Sequence, residues 1–94
     1  MNASNLRHRV TFKYEDGTIA FNRYAEVIPT GGRQFISGLG INADITHVVT
    51  VRYDPAIDKT MTIIYKGREL EIDGPPINVE ERNEWLKLTC KEVV

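Results

Sequence analysis

The feature that most constrains this chain is a two-residue hydrophobic period that returns along its length. Between Leu6 and Tyr14, the residues Leu6, His8, Val10, Phe12 and Tyr14 alternate with Arg7, Arg9, Thr11 and Lys13. Side chains of an extended chain point alternately to opposite faces, so this pattern predicts a strand with one dry and one wet side. Ile45, His47, Val49, Val51 and Tyr53 repeat it, with Thr46, Thr50 and Arg52 in the opposite phase. Met61, Ile63 and Tyr65 do so again, then Leu70 with Ile72, and finally Leu86, Leu88 and Cys90, with Lys87, Thr89 and Lys91 expected to face outward. A looser run from Thr18 to Ile28 keeps Ile19, Phe21, Ala25 and Val27 in one phase, and Pro29 closes it.

The punctuation between these runs is short. Glu15-Asp16-Gly17 is a hairpin signal, Asp54-Pro55 ends a strand, Lys66-Gly67-Arg68 turns one strand into the next, and Gly74-Pro75-Pro76 breaks another. Ile77 to Val79 reads as a short extended piece, followed by a turn over Glu80 to Asn83. Short connections force antiparallel pairing. About six strands, each with a single dry face, bury that face most economically by curling into a small barrel or a compact sandwich, and a small antiparallel β-barrel is the expected fold. From Thr30 to Ala43 the period lapses. Phe35, Ile36 and Leu39 have helical spacing among Gly31, Gly32, Gly38 and Gly40, which predicts a loop with one short helix or helical turn near Arg33 to Ser37. A mainly β, single domain over residues 1–94 is expected.

Composition excludes several function classes. Twelve basic against thirteen acidic residues leave a formal charge of −1, so no global attraction to nucleic acid or anionic membrane is expected. No run approaches the ~20 apolar residues needed to cross a bilayer, and the N-terminus lacks an apolar signal core. The single cysteine, Cys90, is in phase with Leu86 and Leu88 and reads as a small buried hydrophobe. A soluble protein made in a reducing compartment fits these features.

His8 and His47 both fall on apolar strand faces, where a histidine is expected to be a core or rim residue rather than a ligand or base. Two histidines without a carboxylate at ligand spacing make no zinc site, and no cofactor or catalytic constellation is expected. The glycine pairs match neither the P-loop nor the dinucleotide pattern. Arg7, Arg9 and Lys13 leave open a small nucleic-acid-binding barrel. Against it, Phe12 and Tyr14 lie in the other phase, so a solvated edge or a subunit contact is the preferred reading.

In order along the chain, several pieces resemble the head–tail joining, or head–tail adaptor (head-closure), proteins of tailed bacteriophages and prophages. These are Leu6-Arg7-His8-Arg9-Val10, Tyr24-Ala25-Glu26-Val27-Ile28-Pro29, Gly32-Arg33, and Asn42-Ala43-Asp44-Ile45-Thr46-His47 running into Val51-Arg52-Tyr53. Tyr65-Lys66-Gly67-Arg68 with Leu70-Glu71-Ile72, then Glu81-Arg82 before Leu86 to Glu92, complete the set. The resemblance implies a structural subunit that docks as a ring beneath the portal protein, closes the DNA-filled capsid and offers a surface to a tail or tail-completion protein. It implies self-association, dodecameric on the portal and monomeric when free, with packaged DNA passing through the ring without sequence-specific binding. It also implies a place in the virion neck, and in the bacterial host cytoplasm during assembly, with no membrane, metal, cofactor or reaction. Members often carry a long loop between the first two strands, where this chain has the tight Glu15-Asp16-Gly17 turn. Candidate protein-interface residues are Arg33, Gln34, Phe35, Ile36 and Leu39, with Glu15, Asp16 and Arg52. Phe35 and Ile36 stand outside any strand pattern, so they are either tucked under the barrel or kept for a partner.

Overall fold

The structure is a computed structural model and describes residues 6–29 and 45–93. Seven strands follow in chain order: β1 (His8–Lys13), β2 (Ile19–Pro29), β3 (His47–Arg52), β4 (Thr62–Tyr65), β5 (Arg68–Ile72), β6 (Ile77–Asn78) and β7 (Trp85–Glu92). The sheet order β3-β2-β1-β4-β5-β7 closes on itself because β3 also pairs with β7, and every pairing is antiparallel. The expected six-stranded barrel is therefore what forms, and closure removes the open edges that invite mispairing.

β5 and β6 lie along the same edge of β7. Ile72 sits across from Cys90, and Ile77 across from Lys87. Between them, Thr89 bonds Asp73 twice: its carbonyl accepts from the Asp73 N–H at 2.7 Å, and its hydroxyl donates to the Asp73 carbonyl at 2.6 Å. Gly74, at φ 84°, and two prolines then take the chain out of the ladder before β6 resumes it.

The hairpins follow their residues. Gly17 N–H bonds the Tyr14 carbonyl at 2.9 Å, and Tyr14 N–H bonds Thr18 at 2.8 Å. Gly17 takes φ 91°, as a type I turn followed by a left-handed residue requires. The Lys66-Gly67 pair, at φ 50° and 79°, joins Tyr65 to its cross-strand partner Arg68 in a two-residue turn. The helical turn among the described residues is the 3-10 turn Val79–Glu81, which overlaps the turn expected over Glu80 to Asn83 and takes in Val79, expected as extended. The helix expected near Arg33 to Ser37 lies outside the described residues.

Val10, Phe12, Ala25, Val27, Val49, Val51, Ile63, Leu70, Ile72, Leu86, Leu88 and Cys90 fill the barrel. Ile57 and Met61 join them from the β3–β4 connection. That connection is folded inward by Asp54, whose carboxylate accepts from Ala56 N–H and from Arg23, both at 2.9 Å. Together these side chains form a filled core rather than a cavity.

Four expectations are corrected. Ile19 is 66% exposed rather than inward, because the register steps from Phe12↔Phe21 to Lys13↔Ile19 and leaves Ala20 as an extra residue. A bulge of this kind reverses the facing of everything beyond it. Tyr14, just past that step, is half exposed instead of sharing the Phe12 face. Thr50 and Thr89 are buried although their phase is outward. Val48 shares that phase and is buried too, so β3 is dry on both faces, the property of a strand that reads as a nearly unbroken apolar run.

Candidate interaction surface

The interior offers histidine and cysteine side by side, and their surroundings decide what they can do. His47 and Cys90 are cross-strand partners on β3 and β7. Burial pushes the Cys90 thiol up to about 12, with the Asp73 charge adding to it, so the sulfur stays protonated and is a poor nucleophile. It makes a long contact, 3.5 Å, to the Leu88 carbonyl. His47 is drawn below the ordinary histidine value, chiefly by burial; the Glu92 charge opposes this and the Arg68 charge adds to it. Its Nδ1 lies 2.9 Å from the Thr46 hydroxyl, and its ring stands edge-on to Tyr65, which also meets His8 edge-on. Thr46 is the centre of this end of the barrel. Its N–H donates to the Cys90 carbonyl at 2.9 Å, and its hydroxyl accepts from Glu92 N–H at 2.8 Å. The arrangement clasps β3 to β7; it holds no thiolate–imidazole pair.

The outer surface is where polar chemistry gathers. Outward residues of four neighbouring strands fall into one row. The Arg52 guanidinium lies 5.2 Å over the ring of Trp85, its cross-strand partner on β7. Arg52 and Tyr24 line one hollow of about 370 Å³ with Leu6 and Arg23. Tyr24 faces Arg9 across the β1–β2 pair, and both line a second hollow of about 190 Å³. The sequence Trp85–Arg52–Tyr24–Arg9 thus alternates aromatic and cation across the sheet, with Tyr24 62% exposed. Arg23 supports it from within the barrel mouth: its guanidinium lies 4.2 Å over Phe21 and bonds Asp54 at 2.9 Å. The Ala56 N–H and Arg23 together hold the Asp54 carboxyl below the usual carboxylate range.

This row corrects the argument from Phe12 and Tyr14. Aromatics do interleave with charge on the wet side, but they are Tyr24 and Trp85. The signal was present in the sequence, since Tyr24 is out of phase with Ala25 and Val27, and Trp85 with Leu86 and Leu88. The cross-strand register that aligns the two was not.

Of the expected interface residues, Arg52 is exposed and belongs to the row. Glu15 and Asp16 sit at the exposed tip of the first hairpin, away from it in register. The Asp16 carboxylate accepts from the Thr18 hydroxyl at 2.7 Å and the Thr18 N–H at 2.9 Å, and both bonds lower its pKa. Arg33, Gln34, Phe35, Ile36 and Leu39 lie outside the described residues. A third hollow is bounded by Val79, Glu80, Arg82, Glu84, Trp85 and Lys87; none of these three hollows includes His8, His47 or Cys90. Among the described residues no three His, Cys, Asp or Glu side chains gather as metal ligands, and no helix is long and apolar enough to cross a membrane.

A filled, closed barrel with an aromatic–cationic outer row defines a small β-barrel whose chemistry lies on its surface. Residues 1–93 match the phage head completion protein family, and the chain belongs to it. Its sequence is 27% identical over 89 residues to the head completion protein gp16 of Bacillus phage SPP1, covering 95% of this chain and 79% of that protein. The fold is similar to the solution structure of protein SF1141 from Shigella flexneri 2a, with a TM-score of 0.67 and 23% identity over 98% of this chain and 96% of that one. The family is one of structural phage components, so a head-completion role and a place in the virion follow.

Proposed function

We propose that this protein is a neck subunit that assembles as a ring on the portal protein, closes the DNA-filled head and presents the surface on which a tail or tail-completion protein docks. The observation that carries this reading is the family match over residues 1–93. The fold supports it, because the described interior is packed with its own side chains and the polar outer strand faces remain for contacts. The ring is dodecameric on the portal and forms there from free monomers. Packaged DNA passes through it without sequence-specific contacts, and assembly takes place in the bacterial host cytoplasm. Arg33, Gln34, Phe35, Ile36 and Leu39 are the sequence-based candidates for docking, with Glu15 and Asp16 at the hairpin tip and Arg52 on the barrel wall. The first hairpin is short and turned at Gly17, which argues against a channel-plugging role for that loop.

The test is assembly on purified portal rings, followed by negative-stain imaging. The expected result is an added layer of density with the rotational symmetry of the portal. Portals that stay bare at every concentration of this protein would refute the reading.

A further inference from the structure

Two patches are centred on opposite sides of the barrel, with β7 contributing to both, and complement each other. The cyclic strand order is β2-β1-β4-β5-β7-β3, so β2 and β5 are three strands apart in either direction. On the β2 side stands the Trp85–Arg52–Tyr24–Arg9 row. On the other, Glu69 and Glu71 are the outward residues of β5, facing Ile64 and Thr62 on β4. Val93, 43% exposed, bonds the Glu69 carbonyl through its N–H, which places a second apolar side chain on the flank of Glu69 away from Ile64. Lys91, across from Glu71, is a cation within this patch. One patch therefore combines guanidinium groups with aromatics, and the other combines carboxylates with aliphatic groups.

We propose that the Arg9–Tyr24–Arg52–Trp85 row of one copy docks on the Glu69–Glu71 face of a second copy, joining successive subunits head to tail. The inference rests on the ring reading above and names the contact that would build the ring. Three arguments support it. A ring needs two different, complementary patches on each subunit, and a ring of about twelve turns the chain by about 30° per step, so patches near opposite sides of the barrel suit closure. Arginine forks match carboxylates, and Trp, Tyr and Arg are the residues that most often dominate interface energetics. The Arg52–Trp85 stack holds one guanidinium in place beforehand, which reduces the side-chain ordering required on docking.

The test uses full-length variants on portal rings. Tyr24→Cys and Glu71→Cys, mixed and treated with a mild oxidant, should give disulfide-linked dimers. Neither variant alone should do so, nor should Tyr24→Cys mixed with Lys59→Cys. Dimers from Tyr24→Cys alone would show row-to-row contact and overturn the proposal. In parallel, Arg9→Glu/Arg52→Glu and Glu69→Arg/Glu71→Arg should each raise the concentration needed for assembly at least tenfold, while an equimolar mixture restores assembly. Circular dichroism checks that both variants keep the fold. Rings that form normally from either reversed variant, or that show no cross-link in the mixture, overturn the contact and leave the ring reading standing. Bare portals with the unsubstituted protein overturn both. If rings are unaffected and Arg9→Glu/Arg52→Glu instead abolishes low-salt binding of a duplex oligonucleotide, the row is a DNA contact and the proposal fails.

Discussion

Replacing Thr46 by valine should be among the most costly isosteric changes in the barrel, because one hydroxyl serves both strands that close it. It accepts from Glu92 N–H on β7 at 2.8 Å and lies 2.9 Å from His47 Nδ1 on β3, where it donates while that nitrogen carries no proton. Valine keeps the shape and creates no cavity, so packing terms nearly cancel. What remains is an orphaned N–H, at about 1–3 kcal/mol, and a lost bond to the imidazole, at about 1 kcal/mol. The expected loss is about 2–4 kcal/mol, toward the lower end because Thr46 is only partly buried and water can reach it. A domain of this size has about 5–14 kcal/mol of stability at 0.05–0.15 kcal/mol per residue, so the variant stays folded and measurable. Urea titration followed by Trp85 fluorescence gives the difference, and the melting point should fall by at least about 8 °C. Thr46→Ser keeps the hydroxyl and should lose only the contribution of a methyl group, about 1 kcal/mol. A Thr46→Val loss below about 0.5 kcal/mol with an unchanged urea slope would refute the clasp.

Other consequences concern titration and turns. His47 has a folded pKa below its unfolded value, so the unfolded chain binds the extra proton. Stability is therefore full above about pH 6.5 and falls as pH drops below it, until the folded form titrates as well; His47→Gln should flatten that part of a melting-point profile taken from pH 7.5 to 5.5. Cys90, pushed up to about 12, should resist a thiol reagent at pH 8 in the native state and react at once in denaturant. Labelling of native protein at the rate of a free thiol would contradict its burial. Gly67→Ala places a Cβ at φ 79° with nothing within 4 Å, so the cost is backbone strain alone, about 1–2 kcal/mol, read by urea titration.

Much of the barrel was legible in the sequence because period two is a local property. The inward set Val10, Phe12, Val49, Val51, Ile63, Leu70, Leu86 and Leu88 could be read residue by residue, and all are core. The same rule failed where geometry departs from a regular strand. Ile19 turned outward because one extra residue at Ala20 changed the register, and such a step leaves no mark in hydropathy. The phase puts Thr50 and Thr89 on the wet side, yet both are buried, because a threonine methyl packs well once its hydroxyl has a partner, as Thr89 has in Asp73. The phase turns Arg52 outward, and it is exposed there.

Strand identity, the inward faces of the regular strand stretches and the hairpin turns were thus determined by sequence alone, since each depends on the conformations open to a few adjacent residues. Which strands meet, and in what register, depends on pairs far apart in the chain, such as His47 with Cys90 and Arg52 with Trp85. Only closure of β3 onto β7 decided these. That closure set Thr46 between two strands, shut Cys90 away from solvent and brought Trp85 to Arg52, while the β1–β2 and β2–β3 pairings set Arg52, Tyr24 and Arg9 in line on the outer wall.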